Sequence, residues 1–212
     1  MVTTKKSRKR GRPSAFDRNE AVDAALALFW QKGYDSVGVA ELGAAIGINP
    51  PSLYKAFGSK HGLFEEAVQR YVSEDRGGFL PGALASAETL QHAVMNVLVQ
   101  AAKSYTNQKK QLGCLVLSGT SNSTDCKARA TTDAQRRATK TYLAKIFLAY
   151  GVQDANSLAD YVLIAMTGLS CAARQGVNRN VLIKTAEHFS ATEIISQHDR
   201  NRHESKKQDK DK

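Results

Sequence analysis

Cysteine is scarce in this chain of 212 residues, and no apolar run approaches the ~18–20 residues that a membrane-spanning helix requires. The basic N-terminus has no apolar segment of the kind found in secretory signal peptides. The three cysteines, Cys114, Cys126 and Cys171, are widely spaced and cannot all be paired by disulfides within one chain. Together these absences predict a cytoplasmic protein in a reducing environment, with no membrane partner.

Motifs of the common enzyme classes are also missing. The sequence has no Gly-rich phosphate loop, no G-x-S-x-G motif and no H-E-x-x-H motif, and its Asp, Glu and His residues are scattered without a pairing that suggests acid–base chemistry. C-x-x-C spacing is absent as well. We expect no enzymatic activity, no cofactor and no bound metal. One alternative stays open: Cys114, Cys126 and Cys171 could meet His92 or His188 in space and form a metal- or thiol-responsive sensor.

Positive charge is unevenly distributed along the chain. Lys and Arg number 30 against 20 Asp and Glu, a net charge of +10, and half of this excess lies in residues 1–60. Six cations fall between Lys5 and Arg12, and such a block repels itself, so residues 1–15 are predicted to be a flexible basic arm. Counterion release favours its binding to nucleic acid, and the thin cationic strip at 10–13 suits a narrow A·T-rich minor groove. The arm residues predicted to contact DNA are Arg8, Lys9, Arg10 and Arg12.

Apolar residues elsewhere recur at helical spacing, which predicts an all-α fold of about nine helices. A break rich in Gly and Pro predicts a loop at 74–85, and the apolar run 112–117 is ambiguous between strand and helix. The predicted helices are 17–32, 39–46, 50–57, 60–72, 86–106, 125–150, 155–175 and 179–195, with 112–117 as a possible ninth.

Local features define the ends and faces of several helices. Asp17, Asn49 and Asn178 have the side chains of N-cap residues. In helix 39–46, Leu42, Ala45 and Ile46 are expected to face inward. In helix 125–150 the predicted buried side consists of Ala138, Tyr142, Ile146 and Phe147.

The two short helices 39–46 and 50–57 are joined by a tight turn at Gly47. Isolated helices of about eight residues are marginal in water, so they need a third helix, here 17–32, to cover them. This is the logic of a helix-turn-helix, in which the second helix is presented outward and its N-terminal end enters the major groove. Leu53 and Phe57 should anchor that second helix to the core, while its polar residues face away.

Residues of this unit are assigned predicted roles in DNA binding. Ser52 and Lys55 are candidates to read base edges, and Tyr54 and Lys60 are candidates to contact phosphates. The predicted DNA-binding residues outside the arm are Gly38, Asn49, Pro50, Pro51, Ser52, Tyr54, Lys55 and Lys60.

Residues 17–71 resemble the DNA-binding domain of the tetracycline-repressor family of bacterial transcriptional regulators. The motifs that carry the resemblance are Ala25-Leu26-Ala27-Leu28-Phe29, Lys32-Gly33-Tyr34-Asp35-Ser36, Glu41-Leu42-Gly43-Ala44-Ala45-Ile46-Gly47-Ile48 and Pro50-Pro51-Ser52-Leu53-Tyr54-Lys55-Ala56-Phe57-Gly58-Ser59-Lys60, followed by Leu63-Phe64. A looser similarity to the last two helices of many members covers Gly168-Leu169-Ser170, Ala173-Arg174-Gln175-Gly176, Arg179 and Leu182.

The resemblance implies a homodimer that binds double-stranded operator DNA and is released by a small-molecule inducer, most often as a repressor. It implies a helix-turn-helix domain at 16–58 and a helical effector-binding and dimerisation domain at 59–196. The polar composition of the remaining residues predicts a disordered tail at 197–212. Tyr105, Tyr142 and Met166 are candidate pocket residues. The candidate dimer residues are Leu169, Ala172, Ala173, Leu182 and Phe189. The bound protein would be associated with the bacterial nucleoid.

The sequence departs from the family pattern at a few positions. Members usually have Thr followed by Ser, Thr or Val at the start of the second helix, where this chain has Val37 and Gly38. Ser36 is a candidate replacement cap for that helix. Ala56 stands where a His usually precedes the Phe of the recognition helix, which removes one phosphate contact. We expect the basic arm to compensate for these losses, although an architectural, DNA-organising protein without an inducer is a second alternative that the arm favours.

Overall fold

The computed structural model describes residues 17–73, 78–107 and 112–191, and within those ranges the chain forms ten α-helices and no β-strand. The all-α prediction is therefore confirmed. The helices are α1 (Arg18–Lys32), α2 (Val39–Ile46), α3 (Pro50–Phe57), α4 (Lys60–Ser73), α5 (Leu80–Leu84), α6 (Leu90–Tyr105), α7 (Leu115–Ser118), α8 (Cys126–Ala149), α9 (Ala155–Arg174) and α10 (Arg179–Ser190).

One helix, α5, lies in the segment 74–85, where the sequence predicted only a loop. α5 is a single short helix with a Pro in its first turn, and its Leu80 is buried. The ambiguous run at 112–117 contains the short helix α7. α6 begins four residues later than predicted because Thr89 caps it, accepting a hydrogen bond from the backbone N–H of His92 at 3.1 Å.

Most of the predicted caps are present. The Asp17 carboxylate accepts from the N–H groups of Asn19 and Glu20, and the Asn178 side chain accepts from Asn180. The expectation that Ser36 caps α2 is wrong. The N-cap of α2 is Gly38, and no side chain makes a capping hydrogen bond there.

A continuous apolar core runs from α1 to α10, with α4 shared between its two ends. On one side α4 packs against α1 and α3, and on the other it packs against α7 and α8. The rings of Phe29 and Phe64 meet edge to face with centroids 5.1 Å apart, and Trp30 and Tyr71 do so at 5.0 Å. These aromatic pairs join α1 to α4, so the two helices that flank the helix-turn-helix form one rigid support.

The predicted buried face of α8 is only partly correct. Phe147 is buried and Ile146 is half-buried, but Ala138 is exposed and Tyr142 retains 36% of its accessible surface. The observed buried face consists of Ala128, Thr132, Leu143, Ala144 and Phe147. Small residues make up much of this face, and the Thr132 hydroxyl is satisfied by that of Thr120 at 2.6 Å. A face of this kind gives a weak hydrophobic signal in the sequence.

None of the helices in the described ranges combines the length and the apolar character needed to span a membrane.

Candidate nucleic-acid interface

The turn between α2 and α3 is fixed by backbone hydrogen bonds and two glycines. Gly47 adopts a left-handed conformation (φ 80°), which ends α2. The N–H groups of Gly47 and Ile48 both donate to the carbonyl oxygen of Gly43 at 2.9 Å. A Cβ at Gly43 would stand 2.7 Å from the Ile48 carbonyl oxygen, so no larger residue fits this turn without moving the backbone. Gly43 is buried, whereas Ala45, which was predicted to face inward, is exposed.

One face of α3 packs against the core, and the opposite face is exposed. Leu53 is fully buried and Phe57 is 6% exposed, as the sequence predicted. The Asn49 side chain caps the helix by accepting from the Ser52 N–H at 2.9 Å. The exposed positions at and near its N-terminal end are Asn49, Pro50, Pro51, Tyr54 and Lys55, and Ser52 is half-buried. The exposed face of α3 therefore begins with two prolines and continues with Tyr54 and Lys55.

Gly38 lies at the N-terminal end of α2, close in sequence to this surface. It is exposed, and a Cβ there would have no atom within 4 Å. The first N–H groups of α2 consequently lack a side-chain acceptor. Donors of this kind at a helix N-terminus favour an anionic group such as a phosphate.

Lys60 occupies a different environment from the one that the sequence suggested. Its ammonium lies 4.2 Å from the ring centroid of Tyr34, and the residue is half-buried. Burial lowers the pKa of Lys60, while the nearby carboxylates of Asp35 and Asp125 oppose that shift. Contact with a DNA phosphate stays a prediction, and it would require the ammonium to leave the Tyr34 ring.

The turn between α1 and α2 is bonded to the segment that precedes α8. The Tyr34 N–H donates to the Gly119 carbonyl at 2.9 Å, and its hydroxyl donates to Asp125 at 3.3 Å. Asp35 accepts from the Ser123 hydroxyl at 2.5 Å. Burial, followed by the Asp125 charge, raises the pKa of Tyr34 to about 12, so its hydroxyl remains a donor at neutral pH. These contacts connect the helix-turn-helix to the segment that leads into α8.

α9 and α10 together present an exposed apolar groove of ≈ 470 Å³. Ile164 and Val181 line it and are 71% and 53% exposed, so the groove is a contiguous exposed apolar patch rather than a set of scattered single side chains. Four of the five predicted dimer residues line the same groove: Leu169, Ala172, Leu182 and Phe189. Ala173 is buried in the core instead. Ile164 and Val181 were not among the predicted dimer residues, because each lies in an apolar stretch, 161–166 and 181–183, in which the sequence does not distinguish exposed from buried positions.

The three candidate pocket residues have different surroundings. Tyr105 and Met166 are buried in the helical core, at 1% and 4% exposure, whereas Tyr142 lies on the exposed side of α8. The hydroxyls of Tyr105 and Tyr71 are enclosed, and within the described part of the chain their polar neighbour is the Cys114 thiol, a weak hydrogen-bonding group. Burial raises the pKa of both phenols well above the ordinary value, so both are hydrogen-bond donors at neutral pH.

The cysteines are unpaired and differ in accessibility. Cys114 is buried, while Cys126 and Cys171 are exposed. Burial raises the pKa of the Cys114 thiol. Among residues 17–73, 78–107 and 112–191, no three His, Cys, Asp or Glu side chains form a group that could hold a metal ion.

Comparison with known proteins identifies the family. The family model described as bacterial regulatory proteins, tetR family, matches residues 21–67. The transcriptional repressor BdcR of Escherichia coli (strain K12) is 39% identical over 186 residues, which span 88% of this chain and 93% of BdcR. The chain belongs to the tetR family. ComR, another helix-turn-helix transcriptional repressor of the same strain, is 29% identical over 84% of this chain and 89% of its own length.

A solved structure of a tetR-family member agrees with the fold. It is a cysteine mutant of the regulator CifR complexed with 26-bp double-strand operator DNA, and its TM-score is 0.78 at 29% identity. The match covers 86% of this chain and 100% of the CifR chain. These relationships confirm the predicted function as a helix-turn-helix transcriptional repressor, in a family of regulators rather than enzymes. Arg8, Lys9, Arg10 and Arg12 lie outside the described residues, as does the tail at 197–212, so the predictions made for them stand as predictions.

Proposed function

We propose that this tetR-family repressor binds operator DNA by placing the N-terminal half of α3 in the major groove. The observation that carries the proposal is the division of α3, whose Leu53 and Phe57 are buried while Tyr54 and Lys55 are exposed. The related CifR protein is complexed with double-strand operator DNA, which supports the same use of this fold. The helix-turn-helix motif presents its second helix in this way.

Each residue of the interface has a proposed role. Ser52 and Lys55 read base edges, and Tyr54 contacts a phosphate through its hydroxyl. The free N–H groups at the start of α2, next to Gly38, receive a second phosphate. Lys60 adds a phosphate contact if it leaves the Tyr34 ring, and the basic arm follows the minor groove.

The protein acts as a homodimer in this proposal, with the α9–α10 groove as the contact surface. Exposed Ile164 and Val181 support it, because an apolar face of this kind is unfavourable in water unless a partner covers it. A two-fold dimer presents two copies of α3, so the operator is a near-palindrome with half-sites about one DNA turn, roughly 34–36 Å, or a multiple of it apart.

A small-molecule inducer would bind among the helices beyond α4 and shift the dimer towards a state with lower operator affinity. Such a ligand acts only through its differential affinity for the two states. The buried hydroxyl of Tyr105 supports a site near α6, because a ligand acceptor would be a stronger partner for it than the Cys114 thiol. Met166 on α9 is a second candidate, and the exposed Tyr142 would require α8 to move. We propose a cytoplasmic bacterial protein that is associated with the nucleoid when it is bound to its operator.

Selection of bound duplexes from a random pool by the purified protein tests the proposal. The expected product is one near-palindromic motif, and Lys55→Ala should weaken binding to it and relax preference at one base position per half-site. A selection without any enriched motif would refute sequence-specific regulation and favour the DNA-organising alternative. Genome-wide occupancy separates the same two functions, because a regulator gives a few sharp sites near promoters.

Ile164→Arg tests the dimer surface, with Leu148→Arg as the matched control. Leu148 is 59% exposed on α8 and does not line the groove. Ile164→Arg should shift the protein to a monomer in analytical ultracentrifugation, since a desolvated cation would face its own copy across the two-fold axis. Leu148→Arg should remain a dimer. Two variants that sediment alike would contradict the assigned surface.

A further inference from the structure

Arg18 is the first residue of α1, yet its side chain contacts α3 and α4. Its Nη1 donates to the carbonyl oxygen of Ala56 at 2.9 Å. Its Nε donates to Glu66 at 3.1 Å, and a second nitrogen pairs with the same carboxylate. The guanidinium also lies 4.5 Å from the ring centroid of Phe57. One side chain therefore joins three helices.

α1 itself gives no reason for a cation at this position. The N-terminal end of a helix carries partial positive charge, so an arginine in the first turn is disfavoured there by its own helix. The preferred residues at that end are capping acceptors and acidic side chains, and Asp17 and Glu20 supply both. The contacts of Arg18 outside α1 therefore account for its place in the structure.

The C-terminal end of α3 needs the donors that Arg18 provides. The last carbonyl groups of a helix have no partners within that helix, and the Ala56 carbonyl is one of them. α3 has only eight residues, with two buried anchors, Leu53 and Phe57. Arg18 donates to the carbonyl of Ala56 and lies over the ring of Phe57, the last two residues of α3. It thereby fixes the end of α3 opposite to the proposed DNA-facing end.

We propose that Arg18 is a positioning residue for operator recognition, which clamps the C-terminal end of α3 to α1 and α4 and so sets the angle at which its N-terminal half enters the major groove. The proposal rests on the proposed function of α3. Arg18 does not touch DNA in this role. Removing the clamp lets α3 tilt. Base-edge contacts depend on the angle of the helix and are impaired, whereas the attraction between phosphates and the basic surface changes little.

Arg70 offers a matched control within the same helical support. It lies on α4, donates to Asn19 at 2.9 Å and approaches Asp23 at 3.5 Å, and both partners belong to α1. Arg18→Gln and Arg70→Gln therefore remove the same charge and each breaks a tie between α1 and α4. Only the Arg18 change also removes contacts to α3.

The experiment measures dissociation constants of the full-length wild type and the two variants, for the selected operator and for a scrambled duplex of equal length, over a range of salt concentrations. Arg18→Gln should weaken operator binding about 10-fold, the order of discrimination that one base-edge contact provides. Binding to the scrambled duplex should change by less than about 2-fold, and the slope of log affinity against log salt should not change. Arg70→Gln should stay within about 2-fold on both duplexes.

Other results would overturn the clamp. A salt slope that falls by about 0.9, with equal weakening on both duplexes, would make Arg18 a direct phosphate contact. Unchanged operator affinity, or equal losses in both variants, would leave Arg18 no special role in positioning. A wild type without operator preference would instead refute the proposed function, and the clamp with it.

Arg18→Lys provides a second test that keeps the charge if the Gln variant fails to fold. A single ammonium cannot reproduce the planar fork that bonds Ala56 and Glu66 together. Operator affinity should fall in this variant while scrambled-duplex affinity stays constant. A lysine variant equal to the wild type on the operator would contradict the clamp.

Discussion

Asp35 accepts a hydrogen bond of 2.5 Å from the hydroxyl of Ser123, although the two residues are 88 positions apart in the chain. The same carboxylate accepts from the backbone N–H of Thr124 at 3.0 Å. Asp35 belongs to the turn that leads into α2, and Ser123 precedes the N-terminus of α8. The position of the helix-turn-helix therefore depends on a polar bond to the rest of the chain as well as on the apolar contacts of α4.

Asp35→Asn should lower thermal stability at pH 7 by no more than about 2–4 °C, because Asp35 is exposed and solvent screening keeps the loss at or below about 1 kcal/mol. Hydrogen bonds from Ser123 and Thr124 hold the pKa of Asp35 below its ordinary value. Because the folded-state pKa is the lower one, the stabilisation is present above pH ~4 and is lost as the pH falls through the folded-state pKa. Melting temperatures of the two proteins should therefore converge in acid.

Asp133→Asn is the control for this comparison, because it removes the same charge from a local ion pair with Arg136 on α8. Such pairs contribute little, about 0–1 kcal/mol. An Asp35→Asn curve that parallels the wild type down to acid pH would contradict the role assigned to the carboxylate.

Arg174→Met should destabilise the folded chain by about 1–3 kcal/mol in urea denaturation. The guanidinium donates to the carbonyls of Trp30 at 2.9 Å and of Gln31 and Leu112 at 3.3 Å. The Trp30 and Gln31 carbonyls belong to the last turn of α1, so removing the Arg174 donors leaves these helix-end carbonyls without partners. Arg137→Met, at an exposed position on α8, should have little effect. Equal midpoints for the two variants would show that the Arg174 contacts are not stabilising.

Gly43→Ala should both destabilise the protein and weaken operator binding. The added methyl would meet the Ile48 carbonyl oxygen at 2.7 Å, and relief requires the turn before α3 to move. The control is Gly82→Ala in α5, where the added carbon has no atom within 4 Å and the change should be neutral or stabilising. Circular dichroism melts and operator titrations measure both effects. Tolerance of alanine at position 43 would contradict the described turn.

Cys114 should resist alkylation in the folded protein. It is buried and burial raises its pKa, so little thiolate is present and access is blocked. Iodoacetamide at pH 7.5 should modify the exposed Cys126 and Cys171 first, with Cys114 modified only after unfolding in guanidinium, as read by mass spectrometry. Rapid native modification of Cys114, accompanied by loss of operator binding, would revive the thiol-sensor alternative.

Local interactions are the part of this structure that the sequence predicts well. The caps at Asp17, Asn49 and Asn178 bond N–H groups two or three residues away, so their signals lie within one turn of chain. Leu53 and Phe57 are similarly readable, because i, i+4 spacing places both on one face.

Contacts between distant segments are the part that could not be predicted. Lys60 is an accessible cation in sequence terms, but the ring of Tyr34, 26 positions earlier, lies beneath its ammonium. Arg18 and Asp35 gain their roles only from partners on other helices. Part of the buried face of α8 was missed for a different reason, since Ala128 and Thr132 pack there without the large apolar side chains that reveal such a face.

The decisive measurement is the structure of the dimer bound to its selected operator. The N-terminal half of each α3 should lie in the major groove, with the two copies of Pro50 about one DNA turn, roughly 34–36 Å, or a multiple of it apart. Lys55 should approach a base edge in both half-sites. A complex in which α3 faces solvent, while another surface of the protein contacts the DNA, would contradict the proposed role of α3.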